Sequence, residues 1–433
     1  MMPYLRDWLR IGLLSFGGPA AQISVMHRIA VEERRWVSED EFLQALNFCT
    51  LLPGPEAHQL SVWLGWKTQG FAGGVVAGSL FVLPGSCCML LLSWIYTQSQ
   101  SLPISHTILL GLKCAVLSIV LQAVIRLSAR CLKTAFAWCV SAIACLCSLF
   151  DLLPFPLLIG LTVLAGLLQH LHRTRNLRSV DKALSNEPAA ASCAAVRADA
   201  DSNLQRQPQT SQWLRSCMTL LTGLLLWWLP VIACGLFAGW ESLWVRLGIF
   251  FSKAAVLTFG GAYAVLSFVS RTVVHEFHWL SPSEMADGLG LAETTPGPLI
   301  LVLQHVGFLA GWKSSGSLSP VVAAAMAAAL TSWVTFVPSF LWVLLGAPWL
   351  QRINDVSWLR CAMQAVSAAA TGLIVALWAE LAGNTLIAPG GSPQPEAIVV
   401  TLIGALLTFA FRRGLAIILL ACLTAGCLTE WIF

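Results

Sequence analysis

Residues 14–36 read LSFGGPAAQISVMHRIAVEERRW, and residues 257–279 read LTFGGAYAVLSFVSRTVVHEFHW. Slid by 243 positions, the first stretch falls on the second without a gap, and the register holds as far as Pro55 on Pro298. Phe16-Gly17-Gly18 meets Phe259-Gly260-Gly261, Arg28 meets Arg271, Glu33 meets Glu276 and Trp36 meets Trp279. Glu41 meets Glu284, and Pro53-Gly54-Pro55 meets Pro296-Gly297-Pro298. Two apolar chains share Leu and Ala by composition alone. They do not share Gly, Pro, Trp, Arg and Glu in one register. The chain therefore reads as two related halves.

Around these motifs the chain is too apolar for a water-soluble fold. Apolar residues make up 57% and charged residues 11% of it, against about 25% charged in a soluble domain. No charge interrupts 71–95 or 317–350, and a bilayer core takes about 20 apolar residues of helix. About thirteen hydrophobic segments are predicted, six before a polar stretch at 171–213 and seven after it. The first of the seven, 214–240, has no counterpart in the first half. Six spans return the chain to its starting side, so one extra span starts the second half from the other side. The expected fold is an all-α polytopic membrane protein, its halves (1–170 and 241–433) forming an inverted-topology repeat. Segments broken by Gly and Pro are expected to be interrupted or re-entrant.

Charge placement orients the expected topology. Lys67, Arg126, Arg130, Lys133 and the basic run of the polar stretch fall on one side if the N-terminus and the linker are cytoplasmic. The net charge of +4 is spread over loops, so no nucleic-acid partner is expected. The fourteen cysteines include no CxxC pair and most lie in apolar stretches as small packing residues. No metal and no cofactor are expected. No nucleotide-binding, hydrolase or metalloprotease motif is readable, so the chain is not expected to be an enzyme.

Chemistry is expected where the helices break. Adjacent glycines weaken a helix and admit a second backbone or a ligand, although a single Gly-Gly is more often a close helix contact. Pro-Gly-Pro interrupts a helix and starts another, and a helix N-terminus attracts anions. The candidate anion ligands are therefore Gly17, Gly18, Pro53, Gly54 and Pro55, with Gly260, Gly261, Pro296, Gly297 and Pro298. Arg28 and Arg271 would add positive charge, or would equally form structural pairs with Glu33 and Glu276. Gln59 and Gln304 would donate hydrogen bonds. Ionisable groups at membrane depth are costly and default to functional candidates, which makes Glu56, His58 and Glu293 candidates for proton coupling.

Ser-Phe-Gly-Gly-Pro at 15–19, Leu-Leu-Pro-Gly-Pro-Glu-Ala-x-Gln-Leu at 51–60, Phe-Gly-Gly-Ala-Tyr-Ala-Val-Leu at 259–266 and Gly-Leu-Ala-Glu-Thr-Thr-Pro-Gly-Pro-Leu-Ile at 290–300 resemble the chromate ion transporters. More narrowly they resemble the long, fused two-domain members. The resemblance covers nearly the whole chain apart from the linker. It implies export of chromate across the bacterial inner membrane, chromate resistance, and two halves of opposed orientation. The alternatives are uptake or exchange of sulfate or another oxyanion and, behind them, a membrane enzyme or assembly factor with no transport role. The expected partners are the oxyanion and the lipid bilayer, with a homodimer as one assembly open to the chain. His58 departs from the pattern, since the family carries an apolar residue, often Met, between Ala57 and Gln59.

Overall fold

The computed structural model describes residues 2–99, 103–184, 209–259, 262–316, 318–350, 356–388, 391–411 and 414–432. Among them six helices are long and apolar enough to cross a membrane: Glu56–Ser99, Thr107–Cys131, Phe155–His172, Ser216–Ala238, Pro320–Trp349 and Ser357–Leu386. Shorter apolar helices lie at Ala135–Leu149, Leu299–Lys313, Pro395–Phe409 and Leu415–Leu428. The all-α, multi-pass reading holds. The polar stretch is helical at both ends, because the helix Phe155–Leu184 runs into it and Gln209–Ala238 begins before it closes. The rest of that stretch, and Arg412-Arg413, lie outside the described residues.

The predicted breakers divide the predicted segments. Residues 8–27 form two helices, Met2–Leu14 and Gly18–His27, separated at Gly17 in the left-handed region. Residues 44–66 are divided between Glu39–Leu51 and the helix that begins at Glu56. That helix reverses direction at Gln69 and Gly70, whose dihedrals are non-helical. Gly65 consequently packs directly on the backbone of Gly73. In the second half Leu243–Val256 and Ala262–Arg271 take the place of one segment, and Pro282–Thr294 and Val302–Lys313 of another.

The register of the sequence carries into local geometry. Wide turns at Arg28–Glu33 and Thr272–Glu276 end in matching hydrogen bonds, Arg34 N to Ile29 O at 2.8 Å and Phe277 N to Thr272 O at 2.9 Å. Arg35 and His278 both have φ 52°. Ser38 with Glu41 and Ser281 with Glu284 close two capping boxes, each satisfying orphan amides of the next helix. Glu41 then pairs with Lys67 at 2.9 Å and Glu284 with Lys313 at 2.6 Å.

The Lys67 ammonium and the Ser38 amide hold the Glu41 carboxyl below its ordinary value. A carboxyl lowered by folding stabilises the fold above its unfolded value, and the effect is lost as pH falls through the lowered one. Both side chains are 42% exposed, so solvent screens the pair and Lys67→Met is expected to cost at most about 1 kcal/mol at pH 7. Thermal unfolding of the purified protein should register that difference, and the difference should vanish below the lowered Glu41 value.

The halves are interlocked. The Gly54 amide donates to Thr258 O at 2.7 Å, and the Gly297 amide donates to Ser15 O at 2.7 Å. Ser15 and Thr258 are themselves matched positions, so each Pro-Gly-Pro loop is tied to the residue before the other half's Phe-Gly-Gly. Gly54 at φ 133° and Gly297 at φ 93° occupy backbone that a side chain disfavours. A long helix of each half also packs on the last two helices of the other: Pro103–Cys131 on Pro395–Phe409 and Leu415–Ile432, and Ser357–Leu386 on Ala135–Leu149 and Phe155–Leu184.

Candidate functional site

A cavity of about 490 Å³ lies where the two halves meet. Its floor follows from the broken helices. Gly17, Gly18, Pro19, Ala20 and Ala21 bring the first turn of Gly18–His27, Glu56 begins Glu56–Ser99, and Ala262 and Tyr263 begin Ala262–Arg271. Gly414 and Leu415 bring the start of Leu415–Ile432. Four helix N-termini thus meet one cavity. Each carries unsatisfied amides and a partial positive charge of roughly half a unit.

One wall is a single face of Pro103–Cys131. Ile119, Gln122, Ala123, Arg126, Leu127 and Arg130 all line the cavity, at the 3–4 residue spacing that puts side chains on one stripe of a helix. Arg126 and Arg130 form no ion pair among the described residues. Opposite charge is present but limited. Glu293 is 3% exposed and accepts a 2.8 Å hydrogen bond from the Tyr263 hydroxyl. Glu56 stands at the first position of its helix, where the dipole favours an acid. In the other half, 243 positions away, Glu56, Glu293 and Tyr263 correspond to Leu299, Thr50 and Ala20. The architecture is doubled, whereas this acidic set belongs to one cavity.

Of the residues predicted from sequence, Gly17, Gly18, Glu56 and Glu293 come together here. Gly260 and Gly261 lie outside the described residues. The Pro-Gly-Pro loops sit beside the site instead of in it. Their glycine amides are already given to Thr258 O and Ser15 O. Gln59 donates to Pro53 O at 2.7 Å and closes its own loop, while Pro55 caps the helix that follows through Gln59 N. Gly297 O accepts from Gln22 Nε2 at 2.6 Å, and Pro296 and Pro298 hold that loop between Gly85 and the short turn Leu299–Leu301. Gln304 donates to Ser86 O at 2.9 Å and accepts from Ser332 Oγ at 3.0 Å.

The paired arginines are elsewhere. Arg28 is half exposed, 3.5 Å from Glu33, which also takes Arg10 at 2.9 Å. Arg271 binds Asp151 at 2.8 Å and the Ser148 carbonyl. His58 is fully buried, edge-on to Phe336 and Phe340 at 5.1 and 4.7 Å, with neither ring nitrogen hydrogen-bonded. The cationic residues that do reach the cavity are Arg126 and Arg130, expected from sequence only as loop charges. Their signal was present: Gln122, Arg126 and Arg130 recur every four residues at the end of an apolar segment.

The family model described as chromate transporter matches residues 3–168 and 245–427. A chromate transport protein of Pseudomonas aeruginosa is 32% identical over 379 residues, covering 87% of this chain and 80% of that protein. Another, from Cupriavidus metallidurans, is 25% identical over 383 residues, 88% and 82% of the two chains. A probable chromate transport protein of Synechococcus elongatus is 27% identical over 368 residues, 85% and 81%. No solved structure matches this chain. With the model matched on both sides of the linker and along most of each half, the chain belongs to the chromate transporter family.

Proposed function

We propose that the cavity binds chromate, a tetrahedral dianion, and that the chain exports it across the bacterial inner membrane, conferring resistance. One observation carries the reading: Arg126, Arg130 and four helix N-termini converge on a single cavity between the halves. Gln122 and Tyr263 add polar groups for the remaining oxygens. Glu56 and Glu293 share that space, so each must be neutral or paired with an arginine when a dianion enters. They are the groups through which pH would act on affinity.

The halves are proposed to be an inverted-topology repeat, with Gln209–Ala238 as the span that inverts the second. The doubled turns, capping boxes and loop ties support that arrangement. N-terminus and linker are assigned to the cytoplasm, where the basic residues gather. Alternating access would then open the cavity to either side by moving one half against the other.

Export needs no fuel beyond the membrane potential. One charge crossing 100 mV is worth about 2.3 kcal/mol, so a dianion leaving a negative interior gains about 4.6 kcal/mol. At about 1.4 kcal/mol per tenfold, that sustains a gradient of roughly a thousandfold.

Everted vesicles carrying the protein are expected to accumulate chromate when the interior is made positive, and to stop when the potential is collapsed. Accumulation no greater than in vesicles lacking the protein would refute export. Sulfate has the same shape and charge, and the cavity chemistry suits it equally. Competition by sulfate in the same vesicles decides whether the site is selective.

A further inference from the structure

A second set of ionisable groups lies outside the cavity. Asp287, in the middle of Pro282–Thr294, is 2% exposed. Its carboxylate accepts a hydrogen bond from the Tyr96 hydroxyl at 3.0 Å and faces the Lys113 ammonium at 3.2 Å. Lys113 also donates to Ser283 Oγ at 2.6 Å. The next residue, Gly288, leaves room for a histidine: a Cβ there would stand 2.5 Å from His305 Cδ2. His305 is fully buried, with the Tyr96 ring 5.3 Å away.

The hydrogen bonds assign the imidazole. Ser93 Oγ donates to Met89 O at 2.7 Å, so its lone pair takes Nδ1–H of His305 at 2.8 Å. Nε2 is then the bare acceptor, and it has no hydrogen-bond partner. Of the other charges on the facing elements, Arg126, Arg130, Glu56 and Glu293 line the cavity, and Glu284 and Glu380 have partners of their own. Glu284, one turn before Asp287, holds Lys313 at 2.6 Å, and Glu380 of Ser357–Leu386 lies 3.6 Å from His275.

A buried ion pair is poor value as a structural brace, because desolvation of both charges offsets their attraction. A buried acid in a membrane protein defaults instead to a functional role. Access here is graded: 17% of the Lys113 side chain is exposed against 3% of the Asp287 side chain. The Lys113–Ser283 end is the more exposed end of the cluster.

Two helices carry residues of both this cluster and the cavity. Pro103–Cys131 bears Lys113 and, farther along, Arg126 and Arg130. Pro282–Thr294 bears Asp287 and, six residues on, Glu293.

We propose that Asp287, with Lys113, Tyr96 and His305, is a proton-binding site separate from the anion cavity, and that its occupancy is linked to transport. A proton from water adds to an Asp287 oxygen and the ion pair to Lys113 breaks. The ammonium keeps its charge and its bond to Ser283, and the cluster gains one positive charge. His305 Nε2, across Gly288, is the second acceptor available to that proton. Helices positioned by the ion pair are then free to shift, and both reach the cavity. The link to chromate rests on the transport reading; the proton site does not.

Two measurements test it. Infrared spectra of the purified full chain in lipid are expected to show a protonated-carboxyl band that grows as pH falls and is missing in Asp287→Asn. The same titration in wild type and variant would overturn the proton site, whether or not the protein moves chromate. The second uses proteoliposomes at fixed potential. There a gradient of one pH unit is expected to change the wild-type chromate accumulation ratio by about tenfold per coupled proton. The double variant Lys113→Gln with Asp287→Asn removes both charges and leaves neither buried alone. It is expected to retain measurable potential-driven flux and to lose the response to the gradient. A double variant that responds as wild type does would overturn the link. Absence of chromate flux from the wild type would refute the transport reading and leave the infrared titration to decide this one.

Discussion

Replacing Arg126 and Arg130 together by glutamine is expected to cut chromate flux by roughly a hundredfold or more, with the single variants each losing on the order of tenfold. A hydrogen bond to a charged group is worth about 1.5–3 kcal/mol, which is about ten- to a hundredfold per arginine. Both side chains line the cavity. Glutamine keeps the aliphatic stem and a donor and removes the charge, so the helix face and its packing survive. Arg28→Gln and Arg271→Gln are the controls. Arg28 is occupied by Glu33 and Arg271 by Asp151, so each is expected to stay within about threefold of wild type, since breaking an exposed pair costs under about 1 kcal/mol. The measurement is initial chromate uptake into everted vesicles, normalised to the amount of protein in the membrane. The reverse ranking, with Arg28 and Arg271 essential and the other two dispensable, would move the site to the paired turns.

That contrast marks what a sequence discloses about this fold. Gly17, Gly54 and Gly297 are visible as breaks because backbone conformation is a local property, and at each the helix ends or turns. Glu56 and Glu293 stand out because an acid beside a helix breaker in an apolar run has few bland explanations. Arg28 and Arg271 stood out too, on their matched register. What the register cannot carry is the partner: Asp151 reaches Arg271 from a loop 120 residues earlier, and no periodicity encodes that meeting. Arg126 and Arg130 were hidden for the opposite reason. The apolar run stops at Ile125, whereas the helix continues to Cys131 and turns both charges onto the cavity wall. Which stripe of an apolar helix is wet depends on its neighbours. Here those neighbours are helix ends from both halves, far apart in the chain. Asp287 and Lys113 are likewise 174 positions apart, and no periodicity encodes their meeting.

The glycine at position 85 is expected to be the most sensitive residue that touches neither anion nor proton. Gly85 follows Pro84 inside the helix Glu56–Ser99, and a Cβ there would run into the carbonyl oxygen of Pro296. The obstacle is backbone, which has no rotamer to yield, so the loop 296–298 must move. That loop holds two things in place. Its Gly297 amide is bonded to Ser15 O, just before the Phe16-Gly17-Gly18 floor of the cavity, and Thr295 leads back to Glu293. Overpacking by one methyl costs about 1–3 kcal/mol of stability. The effect on function is expected to be larger, because a shift of about 1 Å in a preorganised site costs on the order of a hundredfold. Gly85→Ala should therefore insert and retain its helical circular dichroism while losing at least tenfold in chromate flux, well beyond what its lowered melting temperature accounts for. Gly70→Ala separates space from strain. Gly70 has φ 67° and ψ −157° and nothing within 4 Å of a Cβ, so alanine there meets no obstacle, only the strain of a backbone region kept almost wholly to glycine, about 1–3 kcal/mol, and flux per folded molecule should be near normal. If the two variants transport alike, the seating of the Pro-Gly-Pro loop does not set the geometry of the cavity. If only Gly85→Ala fails, the loops are the parts through which one half positions the binding surface of the other.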